Sequence, residues 1–233
     1  MKLNADFNQR VLIDSSALEW VASPMHGVTR KPLDRIGEEV ARATSIVKYE
    51  SGSQFSPHVH TGGEEFIVLS GVFQDEHGDY PEGTYVRNPP GSSHTPSSKP
   101  GCVIFVKLWQ FQAADRQHIC LDTNALRATT LGDRANVKQI SLYEDQYESV
   151  CIEIWPAHTK LNLDAEQGLE LLVLDGEFIQ EQDRMSKHSW LRAPHGSKLS
   201  AQTGNDSVRV WIKRGHLHNA DVQYEDLVAL LAT

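Results

Sequence analysis

The chain has 233 residues, 39% hydrophobic and 23% charged, with 16 glycines and 10 prolines spread over many turns. That composition excludes a disordered or fibrous polymer and allows one large domain or two of roughly 100 to 120 residues. The net charge of −9, without a lysine or arginine run, excludes the electrostatic footprint of a nucleic-acid binder.

From the N-terminus, MKLNADFNQRVLIDSSALEW has no basic segment leading into an apolar core, so we expect no signal peptide, no membrane partner and a cytoplasmic protein. The segments LIDSSALEW and SPMHGVTRKPLDR precede the main pattern and are read as an extra strand or an oligomer contact. Short runs rich in Val, Ile, Phe, Tyr and Trp then recur between turn clusters: TSIVKYE, EEFIVLSGVFQDE, GTYVRN and CVIFVKLW. That rhythm predicts an antiparallel β-sandwich or barrel. The C-terminal YEDLVALL, acidic early and apolar later, predicts one short terminal helix. Cys102, Cys120 and Cys151 have no CxxC spacing and signal neither disulfides nor a thiolate site; we expect them to pack as small hydrophobes.

Placing residue n beside residue n+105 aligns the two halves for about fifty positions without a gap. Ser70-Gly71-Val72-Phe73 meets Asp175-Gly176-Glu177-Phe178, Tyr85-Val86-Arg87 meets Trp190-Leu191-Arg192, and Pro89-Pro90-Gly91-Ser92 meets Pro194-His195-Gly196-Ser197. In the same register Val103, Phe105 and Leu108 fall beside Val208, Val210 and Lys213. We therefore expect two copies of one β-domain, residues 1–115 with an N-terminal extension and residues 116–233.

The stretch GSQFSPHVHTGGEEFIVLSG carries His58, His60 and Glu64, and PEGTYVRNPPGSSH brings His94. Residues two apart in a strand share a face, so His58 and His60 aim both imidazoles one way. Glu64 shares its row with Phe66 and Val68, whereas Glu65 faces the other side. Three imidazoles and one carboxylate suit Zn, Fe, Mn, Ni or Cu as a divalent ion.

These residues resemble the cupin superfamily, whose motifs are G-x5-H-x-H-x3,4-E-x6-G and a later P-x-G-x2-H. More narrowly, the FIVLSGVFQDEHGDYPEGTYVRNPPGSSH stretch looks like the cupin domain of ChrR-type anti-sigma factors. The resemblance implies two tandem jelly-roll barrels, metal ligation by His58, His60, Glu64 and His94, one metal ion per chain with zinc foremost, and a stress-sensing role with a sigma factor or other regulatory protein as partner. The helical His-x3-Cys-x2-Cys domain of that family has no counterpart here. The same cupin type is similar to small Fe(II) dioxygenases acting on diketones and hydroxyacetophenones, which implies the alternative of a catalytic iron and a small apolar ligand.

The offset of 105 sets Leu163, Ala165, Leu169 and Leu199 opposite the four ligands, so the second copy is expected to hold no metal. His158, His188 and His195 replace no ligand. Glu65, Glu76, His77, His216 and His218 are assigned no role. Trp109, Trp155, Trp190 and Trp211 are expected in cores, and Phe55 and Phe105 are the candidates for pocket walls. Barrel edges need covering, so a homodimer is expected.

Overall fold

A computed structural model describes residues 1–38, 40–132, 134, 136–218 and 229. The architecture is all-β, and the YEDLVALL segment lies outside the described residues apart from Ala229. No helix among the described residues is long and apolar enough to cross a membrane.

The chain forms two compact units. Among the described residues, the first comprises residues 1–5, 19–125 and 229, and the second residues 6–18 and 126–218. In the first, an eleven-stranded antiparallel sheet faces the two-stranded His58–His60/Ser92–His94 ladder. In the second, a seven-stranded sheet is accompanied by a four-stranded one. The strand Lys160–Ala165 shows why the sequence folds so: Leu161, Leu163 and Ala165 are buried while Lys160, Asn162 and Asp164 are exposed, the period of two that a half-buried strand requires.

The internal repeat is written into the strand register. His94 pairs with His58 and Ser92 with His60 in the first unit; Leu199 pairs with Leu163 and Ser197 with Ala165 in the second. Tyr85 opposite Ile67 becomes Trp190 opposite Leu172. The closing strand departs from the sequence alignment. Leu108 pairs with Glu64 and Lys107 with Glu65, while Arg214 pairs with Leu169 and Lys213 with Glu170, so Cys102–Leu108 matches Val208–Arg214 at n+106. The turn before the second copy is one residue longer, and a single-residue slip turns every side chain to the other face. The true partner of Leu108 is Arg214, and Lys107 corresponds to Lys213.

A second repeat has its own offset. Gln9-Arg10-Val11-Leu12-Ile13-Asp14-Ser15-Ser16-Ala17-Leu18 matches Gln117-His118-Ile119-Cys120-Leu121-Asp122-Thr123-Asn124-Ala125-Leu126 at n+108. Ile119–Asp122 adds to the edge of Thr84–Asn88, with Arg87 opposite Ile119. Val11–Asp14 adds to the equivalent edge of the second unit, with Arg192 opposite Val11. Each strand ends in the same turn, in which Asp14 or Asp122 accepts a backbone hydrogen bond from the residue two further on at 2.9 Å.

On the face away from the histidines, each unit buries a register-matched ionic row, Arg87, Glu65 and Lys107 in one and Arg192, Glu170 and Lys213 in the other. Tyr85 donates to Glu65 at 2.5 Å and Trp190 to Glu170 at 2.8 Å. Each arginine lies 4.3 Å from a phenylalanine ring, Phe111 or Phe7. Glu65 is thus a buried member of this row rather than a turn residue. Phe105, 1% exposed, shares the face of Lys107 and is turned away from the histidines. Trp109, Trp155, Trp190 and Trp211 are all buried, as are Cys102 and Cys151, whose thiols burial pushes up to about 11. Cys120 is exposed.

Candidate metal centre

The turn between His60 and Glu64 is made by Gly62 and Gly63. A Cβ at Gly62 would lie 2.3 Å from the Trp109 ring, and Gly63, at φ +77°, has the Phe111 ring 2.4 Å from where its Cβ would be. Only glycines let the chain reverse this tightly, and the reversal brings Glu64 back over His60.

One ligand atom from each of His58, His60 and His94 lies within 4.8 Å of the others. His60 Nε2 is 2.9 Å from His94 Nε2 and 3.3 Å from Glu64 Oε2, and His94 Nε2 is 3.6 Å from Glu64 Oε2. Around an ion at a metal–ligand distance of about 2.1 Å, neighbouring ligands stand about 3.0 to 3.4 Å apart, so His60, His94 and Glu64 lie near the spacing that one mononuclear divalent ion takes. Three histidines here could hold a metal ion. The structure brings together all four residues singled out by spacing.

Tautomers are fixed from behind. His58 Nδ1 lies 2.9 Å from the carbonyl of Ser56, and His94 Nδ1 lies 3.2 Å from Asp75 Oδ2. With Nδ1–H donated in each, the Nε2 lone pairs point inward. Asn88 donates to Glu64 Oε2 at 3.1 Å, orienting the carboxylate. Asp75 is itself held, because Oδ1 accepts from the backbone of His77 and Gly78 and from Tyr80. Burial opposes charge on both inner histidines. It prevails at His60, helped by His94 and His58, and lowers that pKa; at His94 the Asp75 hydrogen bond and the charge of Glu64 outweigh it and raise the pKa. Burial would raise the pKa of Asp75, but the hydrogen bonds from His94, His77 and Tyr80 outweigh it and bring it down. Burial first, then Glu64, holds the nearby Tyr49 phenol well above its usual value.

Asp75 and Asn88 escape a reading by ligand spacing, yet the alignment holds a signal for both, since their partners at n+105 are Gln180 and Ala193. The supporting residues are lost with the ligands. In the second unit Leu163, Ala165, Leu169 and Leu199 lie in one buried apolar cluster with Trp155, Phe178 and Met185. His216, 7% exposed, lies 2.8 Å from Glu170 on the opposite face and is a buried partner of the ionic row rather than a tail residue. Phe55 stands 5.2 Å from the His58 ring.

This fold and this donor set define a cupin. Residues 8–112 match the family model described as the ChrR cupin-like domain, so the chain carries a ChrR-type cupin domain over those residues. Solved structures share the fold at low identity. A provisionally assigned dioxygenase from Nostoc punctiforme is 15% identical, with a TM-score of 0.74 over 91% of this chain and 84% of that one. A protein from Pseudomonas aeruginosa described as glyoxylate-induced is 11% identical, with a TM-score of 0.72 over 88% of each chain. A bacterial pirin in complex with nickel(II) from Escherichia coli is 13% identical, with a TM-score of 0.63 over 89% of this chain and 99% of that one. No curated protein gives a significant sequence match.

Proposed function

We propose that the chain is a ChrR-like bicupin whose first barrel holds one divalent metal ion on His58, His60, Glu64 and His94, with zinc as the resident ion and a stress-sensing, regulatory role exerted through a partner protein. The second barrel is structural. The observation that carries the reading is the convergence of inward-facing lone pairs and one oriented carboxylate in a domain of the ChrR type. The metal would supply a Lewis-acidic centre for an oxygen ligand.

A second reading, an Fe(II) oxygenase acting on a small diketone or hydroxyacetophenone-like substrate, is favoured by the half-buried His58, which leaves the centre approachable from one side. The two readings part on metal content and oxygen chemistry. Elemental analysis of protein purified without added metal is expected to give stoichiometric zinc, with no dioxygen uptake on small diketones after iron reconstitution. Iron-dependent uptake would replace the regulatory reading with the catalytic one, and protein that binds no divalent metal would overturn both.

A further inference from the structure

One buried hydroxyl of the first unit takes part in no hydrogen bond. Tyr49, 7% exposed, ends the strand Ala41–Tyr49 opposite Cys102 and belongs to the interior cluster that holds Phe66, Val68 and Phe73. Its phenol oxygen has no hydrogen-bond partner among the described residues. A hydroxyl taken out of water without a partner opposes folding, so a protein that keeps one has a use for it outside its own contacts.

The second unit shows the same position satisfied. Trp155, opposite Val208, matches Tyr49, opposite Cys102. Each packs edge-on against the matched phenylalanine, Tyr49 at 5.6 Å from Phe73 and Trp155 at 4.9 Å from Phe178. Trp155 donates its one N–H to Glu153 at 2.8 Å, whereas the first unit has Val47 at the place of Glu153, and a valine accepts nothing. The aromatic packing then joins Tyr49 to the ligands of the site. Its ring lies 6.5 Å from Phe55, which lies 5.2 Å from His58, and its neighbour Phe73 lies 5.8 Å from His94. The Tyr49 backbone stands at the rung of Cys102, away from that of Glu64, yet the charge of Glu64 acts on the phenol more strongly than the Cys102 thiol of the facing strand does. Burial and that charge together keep the phenol protonated, so it is a hydrogen-bond donor and not a further anion for the metal.

We propose that Tyr49 is the hydrogen-bond donor that recognises the ligand of the metal centre, a small carboxylate-type anion that gives one oxygen to the ion and the other to the phenol O–H. The inference rests on the metal reading above. A charged acceptor makes such a bond roughly twice as strong as a neutral one, which is why an anion is selected over a ketone or an alcohol. Phe55 and Phe73, the aromatic neighbours of the phenol, offer it no competing acceptor.

The test uses the full-length protein loaded with Co(II), whose visible spectrum reports a new ligand, with acetate as the two-oxygen anion and imidazole as a ligand that offers no second acceptor. Both are expected to bind the wild type. Tyr49→Phe keeps the ring and removes the hydroxyl; it should weaken acetate by about tenfold or more and leave imidazole within about twofold. The metal-free variant should melt no lower than the wild type, because the hydroxyl gives up no hydrogen bond of the fold. Equal acetate affinity in the two proteins, an equal weakening of both probes, or a lower melting temperature would overturn the role of Tyr49. Failure of the wild type to take up cobalt would overturn the metal reading instead, and cobalt protein that binds imidazole but not acetate would overturn the Tyr49 inference alone.

Discussion

Asp75→Asn isolates what a residue behind a ligand contributes. In the native site Oδ1 accepts three hydrogen bonds, from His77, Gly78 and Tyr80, and Oδ2 faces His94 Nδ1 at 3.2 Å. An asparagine keeps its carbonyl among the three donors, because the flipped amide would lose all three bonds. Its NH2 then meets the Nδ1–H of His94, donor against donor. Imidazole escapes by moving its proton to Nε2, which turns the coordinating nitrogen into a blocked one. Losing such a partner typically costs 10- to 100-fold in metal affinity, or about 1.4 to 2.7 kcal/mol. Competition between the protein and a chromophoric chelator for Zn(II), at fixed pH, measures the loss directly. A metal affinity within about twofold of wild type would refute the argument, provided that the apo variant melts with the wild type.

Glu64→Gln keeps the shape and the Asn88 contact but removes the charge, and purified protein should carry well below stoichiometric metal by elemental analysis. Leu163→Glu places a carboxylate in the apolar interior of the second unit, opposite Leu199; a destabilisation of about 3 to 5 kcal/mol is expected from urea titration. Burial would raise the pKa of Glu153, but Arg134, Arg214 and Trp155 outweigh it, so its folded pKa lies below the unfolded one. Its stabilisation is therefore present above the unfolded carboxylate pKa of about 4.5 and fades as pH falls through the lower folded value. Glu153→Gln should flatten the dependence of the urea midpoint on pH in that acidic window, and an unaltered slope would show that the Arg134–Glu153–Arg214 ion pairs carry no net charge coupling.

The convergence of His58, His60, Glu64 and His94 was legible because it follows simple strand geometry. His58 and His60 are two apart on one strand, and Glu64 and Glu65 must face opposite ways. The duplicated turns gave the two-copy organisation for the same reason, since glycines and prolines mark where backbone geometry is least negotiable. What escaped did so through changes of offset. One extra residue before Val208 moved the closing strand to n+106, so Leu108 aligned falsely with Lys213 and its true match, Arg214, stayed hidden. The strand Val11–Asp14 repeats at n+108 and vanishes from an alignment read at n+105. Phe105 was misjudged because an apolar residue in a fully buried strand carries no sign of which side it faces. Asp75 and Asn88 support the candidate ligands from behind, so ligand spacing passes over them, and their replacement by Gln180 and Ala193 at n+105 is the one trace they leave in the sequence.

The duplicated edge strand has a consequence for synthesis. Val11–Asp14 leaves the ribosome well over a hundred residues before its slot beside Ser189–Ala193. Meanwhile the edge of Thr84–Asn88 becomes available before its own partner, Ile119–Asp122, has emerged. A near-copy of that partner, residues 9–18, has already emerged. The nascent protein thus faces a race between an early, wrong guest and a later, right one, and the ten-residue likeness between them makes the pace of translation through residues 90–125 a determinant of how much chain folds correctly.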